Sequence, residues 1–276
     1  MRSAASGEMT SAHAAAQAQR HLVNRIILLG ASNLTLSLNL AIRLVQQRCG
    51  APSEVLIAAG HGRSYGMYSQ VLVRGLPGIV DCGLWRHLEA GPDLPTYAFV
   101  TDVGNDIPYG HGPERILEWV GTCVERMRGR AAQIVMTNLP LKLIGSLSEA
   151  RFRIMRTIFF PFSRLSRSQV VRGAEIVHRG LRELADRGQV QLCDQPSDWF
   201  GPDIIHILYW KRRKAYTDLF HHFAPAGAAY APAGDGPRAT GRGKRPRFAC
   251  QTLFGRERRC SQPSGRLADG TMISMY

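Results

Sequence analysis

The sequence predicts an α/β protein whose parallel sheet is covered on both faces by helices, and three observations lead there. Short, nearly uninterrupted apolar runs alternate with longer segments whose apolar residues recur at helical spacing. Strands buried on both faces read as such continuous runs, as the strands of a parallel sheet do. The chain has 276 residues, enough for one sizeable core, and shows no internal repeat of the kind that builds a solenoid or propeller.

Residues 25–29 form the first buried strand, closed by Gly30, and residues 33–48 then repeat Leu36, Leu40 and Leu44 at helical spacing. Residues 54–59 make a second strand, followed by a glycine-rich loop over 60–66 and a shorter apolar run over 78–82. The YAFV run at 97–100 is another strand, ending at TDVGND. Pro113 occupies the first helical position before 114–128, and residues 133–137 are the next strand. Residues 141–162 mix Arg and Lys with Ile158, Phe159, Phe160 and Phe162, a composition suited to a flap over a site. A long amphipathic helix over 165–187 stops at Gly188, residues 189–193 are the last strand, and 208–223 form a final, very basic helix. Each crossover in such a sheet is right-handed.

The composition is 45% hydrophobic and 20% charged, but the formal net charge is +14 and the pI about 10.1. Residues 225–276 hold nine Lys/Arg against three acids and are rich in Gly, Pro and Ala, so they are expected to be a disordered basic tail. Residues 1–22 are expected to be a flexible N-terminal segment, leaving one domain over 23–224. The six cysteines have no CxxC or metal-ligand spacing and read as free thiols of a reducing compartment. No stretch reaches the roughly 18 consecutive apolar residues of a membrane span, and the N-terminus lacks a secretory apolar core. A cytoplasmic protein is the expectation.

The residues that carry chemistry cluster at strand ends, where ligands bind in a parallel sheet. Ser32 follows the first strand and opens the first helix, where backbone N–H groups and the helix dipole favour developing negative charge. Taken alone it also fits a helix cap, as does its neighbour Asn33. Gly60 and Gly62 follow the second strand, where the absence of a side chain lets a backbone N–H approach a reacting oxygen. Asn105, in the GND that ends the YAFV strand, offers a further donor. Asp203 and His206 follow the last strand three residues apart, so the carboxylate can hold imidazole Nδ1–H while Nε2 faces Ser32.

These blocks resemble the SGNH hydrolases, the GDSL esterases and lipases. Ser32 matches the nucleophile of the first block, Gly62 (or Gly60) the oxyanion glycine of the second, Asn105 the asparagine of the third, and Asp203 with His206 the DxxH of the fifth. The resemblance spans roughly residues 25–222. It implies a flavodoxin-like, three-layer α/β/α hydrolase, free of metal and cofactor, that cleaves a small-molecule, carbohydrate or lipid ester or a thioester through an acyl-enzyme. It further implies a catalytic set of Ser32, Asp203 and His206 and an oxyanion hole made by Ser32, Gly62 and Asn105. One departure stands out: the first block reads Gly30-Ala31-Ser32-Asn33, so the family's acid before the nucleophile is missing.

Two other functions compete. Gly60-His61-Gly62 through Gly66, with Asp81 at the end of the strand expected over 78–82, about where a ribose-binding acid would fall, offers a loop for a nicotinamide cofactor, although its spacing departs from GxGxxG. A non-catalytic module of the same fold would use Lys211, Arg212, Arg213, Lys214 and the basic tail to bind an acidic partner; nucleic acid is one such partner, but no nucleic-acid fold motif accompanies the charge.

Overall fold

The computed structural model describes residues 22–130, 132–224 and 245–276. Its main sheet has seven strands, and five of them are those the apolar runs predict: β1 (Asn24–Gly30), β2 (Ser53–Ala59), β5 (Thr96–Val100), β6 (Gln133–Thr137) and β7 (Gln191–Cys193). They lie in the order β2-β1-β5-β6-β7 with every pairing parallel, which is the doubly wound order of a flavodoxin-like sheet. The helices are α1 (Ser32–Cys49), α2 (Leu84–Ala90), α3 (Pro113–Arg128), α4 (Leu141–Gly145), α5 (Glu149–Phe159), α6 (Arg167–Asp186) and α7 (Arg212–Phe220).

Alternation along the strands builds the three layers. Ile26 and Leu28 of β1 join Phe99 and the buried sides of α1 and α7, including Val45, Tyr216 and Phe220. Their neighbours Ile27 and Leu29 face the other way, into a core with α2, α3 and α6 through Leu84, Ile116 and Val177. Successive side chains of a strand point to opposite faces, so one apolar run supplies both cores.

Residues 245–276 are not a disordered tail. They form β8 (Cys250–Leu253), β9 (Arg256–Arg259), β10 (Gly265–Arg266) and β11 (Met272–Met275). β11 lies parallel to β2, with Ile273 beside Val55 and Met275 beside Ile57, and β10 runs antiparallel on its outer side. β8 and β9 extend a hairpin made of β3 (Ser69–Val71) and β4 (Arg74–Leu76) into a second, antiparallel sheet of four strands. The physical reason is long-range burial: Phe248, Ile273 and Met275 are packed in the core against partners some 200 positions away, which a local composition average does not sense. The remainder of the expected tail, 225–244, and most of the N-terminal segment, 1–21, lie outside the described residues.

Three smaller expectations change as well. The apolar run over 78–82 is a 3₁₀ turn at Ile79–Asp81 instead of a strand. The last strand of the chain is β11 and not β7, and the final basic segment divides into a 3₁₀ turn, Tyr209–Lys211, and the shorter α7. The expected flap is present as the helix pair α4 and α5.

If β11 belongs to the folded core, Ile273→Ala should cost about 2–4 kcal/mol of stability, the usual range for emptying a buried aliphatic site. The denaturation midpoint in urea measures it; a midpoint unchanged from wild type would place this strand outside the cooperative unit.

Candidate active site

Register brings the strand ends level. Gly30 pairs with Ala59, and Leu29 with Val100, so the segments that leave β1, β2 and β5 emerge side by side. Gly30 is required by this closeness: a Cβ there would stand 2.7 Å from the Thr101 methyl.

Ser32 is the first residue of α1, and Ala31 at the N-cap position makes no side-chain cap. The Ser32 hydroxyl therefore does not cap the helix; Ser32 Oγ lies 3.1 Å from His206 Nε2. On the far side of the ring, His206 Nδ1 lies 2.7 Å from Asp203 Oδ2. The other oxygen, Asp203 Oδ1, accepts the backbone N–H groups of Ile205 and His206 at 3.1 and 3.0 Å. A short bridge between Phe200 and Ile207 closes this loop on itself. With Nδ1–H donated to the carboxylate, the lone pair of Nε2 faces the serine hydroxyl, the tautomer this network dictates.

Burial alone would raise the Asp203 pKa. The hydrogen bonds from the His206 ring and from the N–H groups of His206 and Ile205 outweigh it, holding the carboxyl below its ordinary value. Phe159, at the end of α5, sets its ring edge-on to His206 with centroids 5.6 Å apart.

Two residues with no part in the site predicted from the sequence, Asn33 and Asp102, hold these parts in place. Asn33 Nδ2 donates to Asp102 Oδ1 and to the Ile205 carbonyl, both at 2.9 Å, while Asn33 Oδ1 accepts the Ile207 N–H at 2.9 Å. One amide thus grips both neighbours of His206. Asp102, directly after β5, accepts the Ala31 N–H at 2.8 Å and the Leu34 N–H at 3.4 Å through Oδ2. It does so from a left-handed backbone, φ +62°, that Asp tolerates better than most residues. Its carboxyl group thus meets two of the N–H groups at the N-terminus of α1. Burial pushes the Asp102 carboxyl up, against the pull of the bonds from Asn33, Ala31 and Leu34. The signal for both residues was present in the sequence as the pair of oddities Ala31-Ser32-Asn33 and Thr101-Asp102, but nothing local links them.

Two of the three predicted oxyanion residues share a cavity, and Gly62 lies next to it in the chain segment that Asn105 touches. Ser32 and Asn105 line one cavity, and Asn105 Nδ2 donates to the Arg63 carbonyl at 3.3 Å, beside Gly62. Gly62 has φ +63°, and a Cβ there would come within 2.6 Å of both the Tyr109 hydroxyl and the Val71 side chain. Arg63 anchors this loop: its buried guanidinium donates to the Pro77 carbonyl at 3.1 Å and to the Tyr276 carbonyl. Asp106 adds a second anchor by accepting the Tyr65 N–H at 2.8 Å.

That anchoring removes the nicotinamide alternative. The 60–66 loop leads into the β3–β4 hairpin and not into a helix N-terminus, and a Cβ at Gly66 would overlap the Trp119 ring, so protein fills the space a pyrophosphate needs. Asp81 lies in a 3₁₀ turn, away from any strand end. Among the described residues no group of three or more His, Cys, Asp or Glu side chains converges as a metal site requires.

The cavity holds about 160 Å³ and runs from Ser32 beneath α4, α5 and α6. Its walls are mostly apolar, with Val103, Ile107, Leu139, Ile144, Phe152 and Val170 among them. The doubly wound sheet, with a serine after its first strand and an Asp-His turn after its fifth, completes the pattern. The architecture is a three-layer α/β/α fold of flavodoxin-like strand order.

No protein-family model and no curated protein matches the chain. Solved structures similar to it include a carbohydrate acetylesterase family member from Sinorhizobium meliloti, 14% identical over 71% of this chain and 94% of that one, with a TM-score of 0.49. The aryl esterase of M. smegmatis is 15% identical over 72% and 97%, with a TM-score of 0.45. A member of the lipolytic protein G-D-S-L family from Veillonella parvula is 11% identical over 72% and 99%, with a TM-score of 0.43. Identities this low concern the fold at most, and the chemistry rests on the geometry of the site itself.

Replacing Asp102 by Asn leaves one acceptor oxygen where there were two, so the Asn33 amide and the Ala31 N–H can no longer both be met. Asp102→Asn and Asn33→Ala should each lower kcat on a soluble ester by about tenfold to a hundredfold, the cost of displacing a reacting group by an ångström or so. Steady-state kinetics checks both. For Asp203 the sign follows from its lowered folded pKa: its stabilisation is present above the ordinary value near 3.9 and is lost as pH falls through the folded pKa. The stability advantage of wild type over Asp203→Asn should therefore be complete above about pH 5 and shrink below about pH 4, as urea unfolding across that range would reveal.

Proposed function

We propose that this protein is an SGNH-type serine hydrolase that cleaves a carboxylic ester through an acyl-enzyme. The observation that carries the proposal is the two-bond chain from Asp203 through His206 to Ser32, ending at the mouth of an apolar cavity. A hydroxyl is a weak nucleophile at neutral pH and needs a base held in one tautomer.

In this mechanism Ser32 Oγ attacks the ester carbonyl carbon while His206 Nε2 takes its proton. Asp203 keeps the ring oriented and stabilises the imidazolium. The carbonyl oxygen becomes an oxyanion bound by the N–H groups of Ser32 and Gly62 and by the Asn105 amide; one such donor is typically worth about 3 kcal/mol in the transition state. The bond to the leaving oxygen then breaks, and His206 returns the proton to it, releasing an alcohol. Water, deprotonated by the same nitrogen, attacks the Ser32 ester, and His206 returns that proton to Ser32 Oγ as the acid is freed. The apolar walls of the cavity suit the acyl portion, because burying each methylene there contributes about 0.8 kcal/mol.

A fluorophosphonate probe should label the protein at Ser32, located by peptide mapping, and Ser32→Ala should abolish both labelling and p-nitrophenyl ester turnover with the thermal transition unchanged. Labelling elsewhere, or turnover that survives the substitution, would refute the assignment, and a well-folded protein with neither would favour the non-catalytic module. Asn105→Ala should lower kcat by about 10²–10³, the usual consequence of losing one oxyanion donor.

A further inference from the structure

Among the described residues, the large apolar side chains left exposed fall, with one exception, on segments at the carboxyl ends of the strands. Among the described residues Val23, ahead of β1, is the single one at the amino ends of the strands. The others lie on segments that follow the carboxyl ends, or on the turn bonded to one of them. Leu36 follows β1, Leu72 follows β2, Ile158 and Phe162 follow β6, and Trp210 follows β7. Phe254 tips the β8–β9 hairpin and donates its N–H to the Val73 carbonyl at 2.9 Å.

Contacts tie these segments to the candidate active site. The ring of Phe159, one residue from Ile158, meets His206, and Val71 beside Leu72 closes on Gly62. Arg212, two residues beyond Trp210, donates to the Leu36 carbonyl at 3.1 Å.

Two tips are costly by any local criterion. Leu72 is 89% exposed with φ +53°, and Phe254 is 78% exposed with φ +50°. Tight turns of this kind normally take Gly, Asn or Asp, because a side chain in the left-handed region crowds the following carbonyl. Bulky apolar residues there gain nothing within the chain.

The surrounding charge selects the partner. Residues 141–166 carry Lys142, Arg151, Arg153, Arg156 and Arg164 against Glu149. Arg213 is exposed on α7, and β9 presents Arg256 and Arg258. Separate apolar tips amid Arg and Lys, around the mouth of a reactive cavity, match the apolar interior and anionic head groups of a lipid surface. No helix among the described residues is long and apolar enough to cross a membrane, so the contact would be peripheral.

We propose that this face docks on an anionic lipid surface, with the mouth of the cavity turned toward it. The substrate is then an ester drawn from that surface, a step that rests on the hydrolase proposed above; the docking does not.

Co-flotation of full-length Ser32→Ala protein with phosphatidylcholine vesicles containing about one-third phosphatidylglycerol separates the two claims. Binding should exceed that to pure phosphatidylcholine at least tenfold and weaken toward about 1 M salt, where the Debye length is about 3 Å. In that background Leu72→Asp, Phe254→Asp and Ile158→Asp should each reduce binding about tenfold or more. In the Ser32-containing protein they should leave turnover of soluble p-nitrophenyl acetate within about twofold, because none of the three lines the cavity. Anionic vesicles should also shift the tryptophan emission to the blue, a shift lost in Trp210→Phe. Failure of the unsubstituted face to bind, or binding indifferent to the three Asp variants, overturns the docking even if the enzyme is active. A concentration-dependent dimer that the same variants dissolve overturns it in favour of a second copy of this chain.

Discussion

The amide of Asn33 makes one object of three strand ends. It donates to Asp102 after β5 and to Ile205, and accepts from Ile207, so the turn after β1 and the loop carrying His206 cannot shift independently. The distance between Ser32 Oγ and His206 Nε2 spans 174 positions of sequence, yet it is set by a residue adjacent to the serine. Hydrogen bonds to a buried group such as the Asp102 carboxyl are costly to leave unmade, because no water replaces them.

The same network brings a carboxyl group to the N-terminus of α1 from a distant part of the sheet. A carboxylate is favoured at a helix N-terminus for electrostatic reasons alone, whichever strand delivers it. Here it arrives from β5, on a residue held in a left-handed conformation, and it meets the N–H groups of Ala31 and Leu34 from outside the helix. The carboxyl stays desolvated, which burial registers as a raised pKa, and the three donors around it limit that cost.

The parallel core was largely legible from the chain, because apolar runs such as those of β1 and β5 are dictated by burial on both faces. The tail was not. β9 reads Arg-Glu-Arg-Arg and is fully exposed, since an edge strand is protected by charge, and a charged edge looks locally like a solvated linker. β11 is four residues long, and its burial comes from β2. One clue was available: β2 is buried along its whole length, which does not suit the sheet edge that a five-strand order would make of it. The same strand brings the Tyr276 carbonyl to Arg63, so a segment with no recognisable motif steadies the loop bearing Gly62.

The sequence by itself determined the class of fold, the order of the core elements and the identities of Ser32, Asp203, His206, Gly62 and Asn105 as candidates, because periodicity and short spacings are local properties. Tertiary structure alone decided that Asn33 and Asp102 hold these residues together, that residues 245–276 belong to the sheets, and that the cavity opens among exposed apolar tips. Each of these depends on which strand ends become neighbours, and that follows from strand order and register, which are properties of the whole chain.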